Sequence, residues 1–294
     1  MIFAHAMLWL TAIIWGTGFV AQSTATHLLE PNSFNAARFI LAALALIPLL
    51  LIFPNKQEYK LRALILGGML SGTCMFAGFS FQQTGLLYIT AGDAGFISSI
   101  YIVIVPVIGM AMGNKTSPNT WLGILLAIAG LYYLSVGPDF TIHKGDALEL
   151  AGAFFWAADV LIIGHLSRRL PVIPLAITQF TFATLLAITA TLIFEAPTLL
   201  GFTHEWIPIL YAGVVASAIA TTLQILGQRR VPPSISALIL STEALFAVIA
   251  DWLILDVSLT FDAYVGSGLI LTGMLISQWP TTSKRDLNKK ESNP

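Results

Sequence analysis

Ten runs of about 20 mostly apolar residues, each closed by turn-forming residues, decide what this chain can fold into. They fall at about residues 4–24, 33–53, 61–84, 93–113, 119–137, 146–166, 173–194, 206–226, 234–255 and 262–280. Between them stand Glu30-Pro31-Asn32, Phe53-Pro54-Asn55, Gly137-Pro138-Asp139, Arg168-Arg169-Leu170-Pro171 and Val231-Pro232-Pro233, which stop a helix and turn the chain. A bilayer core about 30 Å thick is crossed by about 20 residues of helix rising 1.5 Å each. A helix also satisfies its backbone hydrogen bonds within itself, as a lipid surrounding requires. Charged residues make up only 10% of the chain, against about 25% in soluble domains, too few to cover an aqueous surface. The expected fold is an all-α integral membrane protein with ten transmembrane helices, and membrane lipid is its expected surroundings. The first run lacks a Lys/Arg lead and is long enough to span, which predicts a retained helix rather than a signal peptide.

Charge and cysteine content exclude several functions. A net charge of −1 gives no electrostatic footing for nucleic acid. The single Cys74 can form no intrachain disulfide. There is no Cys/His cluster at zinc spacing and no nucleotide-binding glycine loop, so no metal and no cofactor is expected.

Lys and Arg orient the spans. With a cytoplasmic N-terminus and ten crossings, the inner side holds Lys56, Lys60, Arg62, Lys115, Arg168, Arg169, Arg229, Arg230, Lys284, Arg285, Lys289 and Lys290. The outer loops keep only Lys144, and Arg38 falls within a span. Twelve of the 14 basic residues on one side is the asymmetry of a correctly counted topology, with both termini cytoplasmic. The tail 281–294, SKRDLNKKESNP at its core, is expected to be a solvated cytoplasmic end.

The chain repeats itself at an offset of 141–143 residues. Trp15 falls on Trp156, Arg38-Phe39 on Gln179-Phe180, Tyr101 on Glu243, Gln82 on Gln224, and Gly123 and Gly130 on Gly266 and Gly273. The expected repeats are 1–138 and 139–280, with five helices each. An odd number of crossings sets the halves in opposite orientations, and inverted repeats carry substrate near the midplane where the halves meet.

Two five-helix halves, an aromatic in the first helix of each (AIIWG and AFFWA), and AGFISSIYIVIVPVIG matched by SALILSTEALFAVIADWLIL resemble the drug/metabolite transporter superfamily, and within it the EamA-type permeases. The resemblance covers about residues 5–280. It implies a secondary transporter of small metabolites, most of all an exporter of amino acids or related compounds across the bacterial inner membrane, working by alternating access. Two positions depart from the family pattern: its frequent Glu-Pro is Glu243-Ala244 here, and its Gly-Glu is Leu255-Asp256.

Depth ranks the polar residues. Glu243 lies nine residues, about 13–14 Å, from the inner end of the ninth span, near the midplane, where a charge costs at least a few kcal/mol. It is expected to line the transport cavity and to carry a proton; the alternative is a neutral acid bonded to a neighbouring helix. Tyr101, its mate, presents a ring and one directed hydrogen bond at similar depth, and Pro106 is expected to bend that helix. Trp15 and Trp156 stand at mid-depth, where tryptophan is unusual. Trp15 shares a helix face with Thr11, Gly18 and Gln22, and Trp156 shares one with Asp159. Arg38 requires a partner or water: a substrate carboxylate in the functional case, otherwise a structural ion pair, with Asp93 and Asp251 the nearest in depth. Gln82, Gln179 and Gln224 serve either substrate or interhelical bonds.

The substrate-binding candidates are Trp15, Arg38, Phe79, Gln82, Tyr101, Trp156, Asp159, Gln179 and Glu243, with Glu243 also the candidate for proton coupling. Asp251, beside Trp252, is expected at the outer interface. Gly68/Gly72 and Gly109/Gly113 have the spacing of close helix packing and leave a homodimer possible. Two other functions are weighed. An intramembrane aspartyl enzyme needs two facing carboxyls, for which Asp159 and Asp251 are available, yet WAAD and VIAD lack the Gly-x-Gly-Asp pattern. A channel or scaffold lacks a filter signature. No catalytic residue is expected.

Overall fold

The computed structural model describes residues 2–26, 28–52, 57–113, 115–135, 144–256, 261–277 and 279. The 281–294 tail and the junction between the expected repeats at 138/139 lie outside the described residues. Among the described residues the chain is helical, without strands. The elements are α1 (Ile2–Ala25), α2 (Pro31–Ile52), α3 (Leu61–Gly85), α4 (Ala91–Ser98), α5 (Tyr101–Ala111), α6 (Pro118–Ser135), α7 (Lys144–Leu166) and α8 (Val172–Phe194), followed by α9 (Leu199–His204) and α10 (Trp206–Leu210). A π-helical segment (Tyr211–Ile219) leads into α11 (Ala220–Gln228), then α12 (Pro233–Leu240), α13 (Glu243–Leu255) and α14 (Phe261–Ser277).

Among the described residues, eight helical stretches are long and apolar enough to cross a membrane: α1, α2, α3, α4–α5, α7, α8, α10–α11 and α12–α13. This makes the chain a multi-pass integral membrane protein. The fifth and tenth predicted runs carry α6 and α14, of 18 and 17 residues. At 1.5 Å per residue, 17 residues reach about 26 Å, just short of a core of about 30 Å. The segment predicted as a loop around 195–205 contains the short helix α9, whose first turn is capped by Thr198 Oγ1 accepting from Gly201 N at 3.3 Å.

Two of the spanning stretches are interrupted, and the interruptions are repeat mates. The first parts α4 from α5 at Ser99-Ile100, the second parts α12 from α13 at Ser241-Thr242. The cause is local. Ser99 Oγ donates to Gly95 O at 2.7 Å, Ser241 Oγ to Leu238 O at 2.9 Å, and Thr242 Oγ1 to Ile239 O at 2.7 Å. Hydroxyls that bond back to the preceding turn compete with the helix's own amides. Each helix restarts at the residue of interest: Tyr101 opens α5 and Glu243 opens α13. The predicted bend at Pro106 is not where the helix breaks. Pro106 lies inside continuous α5, and the hydroxyls one to two turns earlier set the interruption.

The packing pattern is that of a two-fold axis. α3 packs on α7 and α8, α2 on α8 and the π-helical segment, α1 on α11 and α13, and α6 on α14. In the last pair a Cβ on Gly123 would fall 2.4 Å from Gly273 O, and one on Gly130 would fall 2.5 Å from Gly266 O. The repeat maps Gly123 to Gly266 and Gly130 to Gly273, so each glycine touches the mate of the other, as a dyad demands. Gly68 and Gly72 are used within the chain: they abut Thr178 and Gln179 O of α8. On the outside, Leu44, Ile47, Leu51, Leu192 and Phe194 are among many large apolar side chains left exposed, a surface that fits lipid.

Candidate functional site

Residues on the axis meet their own mates, and they do so around one cavity. The Trp15 and Trp156 rings stand 6.4 Å apart, the Phe39 and Phe180 rings 6.2 Å apart, and Tyr101 donates its hydroxyl to Glu243 Oε1 at 3.1 Å. The cavity is lined by Trp15, Gly18, Phe19, Gln22, Arg38, Phe79, Gln82, Tyr101, Trp156, Val160, Ala216, Gln224 and Glu243. Its atom-free space is about 460 Å³ with the open solvent at its mouth included, and the interior is narrow. A metabolite therefore enters only if the walls move apart.

Each wall residue is held by a neighbour that explains its place. On α1, Trp15 Nε1 donates to Ala216 O of the π-helical segment at 2.8 Å, and Thr11 Oγ1 donates to Ala220 O at 3.1 Å. A π-helix widens the backbone turn and is found frequently at functional sites. Here its stretch and the residue after it supply carbonyls to two α1 side chains. Thr17 and Tyr211 close the same seam, hydroxyl to hydroxyl. Trp156 of α7 meets Phe79 of α3 edge to face, with centroids 4.5 Å apart at 87°. Gly78 makes this approach possible, since a Cβ there would lie 2.9 Å from the indole.

Arg38 is 1% exposed. Its Nε donates to Ser217 Oγ at 3.2 Å, its Nη1 donates to Gln22 Oε1 at 2.9 Å, and its Cζ stands 3.8 Å from the Phe79 centroid. Phe34 and Phe39 flank it at 5.9 Å. The ion pair with Asp93 or Asp251 is not formed. Asp93 accepts from Thr90 at the start of α4, and Asp251 lies against Gly92 of the same helix. Among the described residues the guanidinium has amide, hydroxyl and ring partners and no carboxylate. It therefore faces the cavity as an uncompensated cation that an anionic group could complete.

Seven of the nine candidates line the cavity: Trp15, Arg38, Phe79, Gln82, Tyr101, Trp156 and Glu243. Asp159 and Gln179 stand behind it. Gln179 Nε2 donates to Asp159 Oδ1 at 3.1 Å. This is an interhelical bond between α8 and α7 rather than a cavity contact. Asp159 and Asp251 have separate partners, so the two-carboxyl geometry of an aspartyl enzyme is not assembled.

Three contributors are not evident from sequence. Ser217 is a single hydroxyl in an apolar run and carries no signal. Gln22 shares the Trp15 face, a sufficient signal for the cavity but not for Arg38. Glu149, fully buried on α7, follows Lys144 and Asp146 so closely that it reads as an interface residue.

A cavity lined by polar and aromatic side chains, where repeat mates meet in a multi-pass helical protein, fits a membrane transporter as the class. Known proteins sharpen this. The EamA-like transporter family matches twice, over residues 2–136 and 143–278. An "Uncharacterized transporter" of Archaeoglobus fulgidus is 33% identical over 276 residues, covering 94% of this chain and 85% of that protein. The "Uncharacterized transporter YoaV" of Bacillus subtilis is 20% identical over 93% of this chain and 95% of its own length. The "Uncharacterized inner membrane transporter YedA" of Escherichia coli K12 is 22% identical over 76% of this chain and 74% of its own. One solved crystal structure superposes with a TM-score of 0.76 over 98% of both chains at 16% identity, which shows a shared fold alone. The chain belongs to the EamA-like transporter family.

Proposed function

We propose that the chain is a ten-span secondary carrier that exports an amino acid or a closely related zwitterionic metabolite. Its halves, 1–138 and 139–280, sit inverted in the inner membrane with both termini cytoplasmic, and rock against each other to alternate access. The observation that supports this best is the pairing of opposite charges across one cavity. Arg38 and Glu243 both line it, and among the described residues neither hydrogen-bonds an oppositely charged side chain. A zwitterion offers a carboxylate to Arg38 and an ammonium to Glu243, while Trp15, Phe79 and Trp156 receive an apolar side chain. Unoccupied, neither charge has an opposite charge hydrogen-bonded to it among the described residues, so substrate would complete the site rather than merely fit it. Glu243 also serves as the proton carrier, surrendering its proton when the ammonium binds. Gln82 and Gln224 add directed hydrogen bonds at the wall.

Counterflow in proteoliposomes tests this. Vesicles loaded with an unlabelled amino acid should accumulate the labelled one saturably, at a rate that depends on pH. Absence of counterflow across the full set of amino acids would sink the substrate class. Ion currents without counterflow would mean a channel instead.

A further inference from the structure

Glu149 lies outside the cavity lining and has no role in the scheme above, yet its surroundings are unusual for a structural acid. It is 0% exposed. Ser98 Oγ donates to its Oε2 at 2.7 Å, and its Oε1 is buried without a hydrogen-bond partner. Gly85 makes the room: a Cβ there would stand 2.9 Å from Oε1 and 3.1 Å from Cγ. Titratable groups on the packed elements are few. α3 carries Cys74 and the remote Arg62, α4 carries Asp93, α5 carries Tyr101, and α11 and α12 carry none. On α7 itself Lys144 donates to Tyr88 Oη at 2.9 Å, and Asp146 and Asp159 lie a turn or more away. On the far side of the break between α4 and α5, Tyr101 bonds Glu243. No cation is bonded to Glu149 among the described residues.

The type of partner is informative. A hydroxyl both donates and accepts, and it changes role by rotating its hydrogen alone. Ser98 can thus hold Glu149 as a carboxylate or as an acid, and Tyr101 can do the same for Glu243. Asp159 differs, for it is held by the amide donor of Gln179. That amide suits the ionised form and must turn over to serve the acid. Ser98 and Tyr101 are three residues apart and bracket the break between α4 and α5. Between them Ser99 Oγ also reaches Ser241 O, at the matching break in the other half, at 3.2 Å. One backbone interruption therefore carries the hydroxyl partners of two buried acids and a contact across the axis.

We propose that Glu149 is a second proton-exchanging carboxyl of the carrier, and that it forms with Glu243 a two-acid unit held by the hydroxyls of one helix break. Each exchange breaks one carboxyl O–H bond, leaves a carboxylate and delivers the proton to water. Like-charged carboxylates disfavour one another, so the two titrate as a coupled pair. Along α7, Glu149 is five residues, about 7.5 Å, from the Lys144 end, while Glu243 is 12 residues, about 18 Å, from the Leu255 end. Under the proposed topology both are outer ends, which sets Glu149 on the outward side of Glu243. The inference rests on Glu243 carrying protons but not on the identity of the substrate.

Infrared difference spectroscopy on the purified full chain in lipid nanodiscs, between acidic and alkaline buffer, reads protonated carboxyl C=O bands directly. The wild type should lose a band on alkalinisation that is missing from Glu149→Gln and a separate one missing from Glu243→Gln. Bands from Asp159 and Asp251 are common to all variants and cancel. Ser98→Ala should keep the Glu149 band but move it to higher frequency, and it covers the case in which Glu149→Gln fails to fold. A difference spectrum unchanged in Glu149→Gln, or a spectrum unmoved in Ser98→Ala, overturns the proposal. A band lost in Glu149→Gln together with absent amino-acid counterflow supports it while removing the substrate reading, so the two failures are distinct.

Discussion

Replacing Arg38 by Met separates a substrate group from a structural one, because stability and transport should respond differently. Arg38 is 1% exposed with no carboxylate beside it. Desolvating such a cation costs several kcal/mol. The Phe79 ring at 3.8 Å offsets about 2 kcal/mol of this, and the bonds to Gln22 and Ser217 about 1.5–3 kcal/mol each. The sum is near zero. Arg38→Met removes cost and offsets together, with Met filling much of the same volume. What remains is Gln22 Oε1 and the Ser217 hydroxyl short of a donor, at about 1–3 kcal/mol. The fold should therefore survive, with Tm close to that of the wild type. Transport should not. A charge-assisted bond to a substrate carboxylate is worth about 1.5–3 kcal/mol, or about a 10- to 150-fold rise in the KM of counterflow. Arg38→Lys keeps the charge without the planar fork and should fall between. The assay is counterflow in proteoliposomes alongside thermal unfolding in detergent. A KM within about twofold of the wild type in Arg38→Met, where at least tenfold is expected, refutes the carboxylate role. Collapse of the fold with transport unmeasurable marks Arg38 as a structural cation.

Glu243→Gln should remove the Glu243 share of the pH dependence of transport and leave only the share carried by Glu149; full wild-type pH dependence in the variant removes Glu243 as proton carrier. Gly130→Val forces a side chain to within 2.5 Å of Gly266 O and 2.9 Å of Ile270. Overpacking of that kind costs about 1–3 kcal/mol, read as a lower Tm, and an unchanged Tm would mean α6 and α14 do not meet as described. Glu195→Ala removes the carboxylate that accepts from Asn32 N, Asn32 Nδ2, Ser33 N and Ser33 Oγ at 2.6–2.7 Å. Losing this clasp on the start of α2 should destabilise by about 1–3 kcal/mol, checked by thermal unfolding; a loss under about 0.5 kcal/mol would show the clasp to be loose.

The features that could be read from the sequence are those with one physical cause. Lipid demands long apolar helices, so the runs follow from hydropathy alone. The mates Trp15 and Trp156, or Tyr101 and Glu243, could be paired by offset because the axis brings equal positions together. The breaks at Ser99 and Ser241 could not, since serine in an apolar helix is ordinary until its hydroxyl is seen to bond backward. Pro106 offered a louder signal and a misleading one. Arg38 was assigned acids as partners because opposite charge is what a sequence displays. The actual partners, Gln22 and Ser217, are neutral and come from helices whose angular placement only packing decides. Glu149 was hidden by proximity to Lys144 and Asp146, which makes five residues of depth look like an interface.

The axis itself constrains what this cavity can contain. A residue on it touches its own mate, so two identical halves would meet as identical pairs. Aromatics tolerate this: Trp15 meets Trp156 and Phe39 meets Phe180 with no electrostatic penalty. Ionisable groups do not, since two glutamates in contact cannot both ionise in a low dielectric. A single acid on the axis therefore needs a different mate, and Tyr101 supplies a hydroxyl that serves Glu243 in either protonation state. The same holds one step off the axis, where Arg38 faces the cavity and its mate Gln179 turns to Asp159. In the proposed carrier the two halves supply the rocking units, and the places where mates differ in charge would give the site a direction. If so, symmetrising the pair should abolish function, and the second buried acid should lower Tm as well. Tyr101→Glu would set two acids across the axis and should stop proton-dependent counterflow, whereas Tyr101→Phe, losing one hydrogen bond of about 1 kcal/mol, should slow it only about fivefold. Equal loss in both variants would mean the axis pair holds the fold and not the proton.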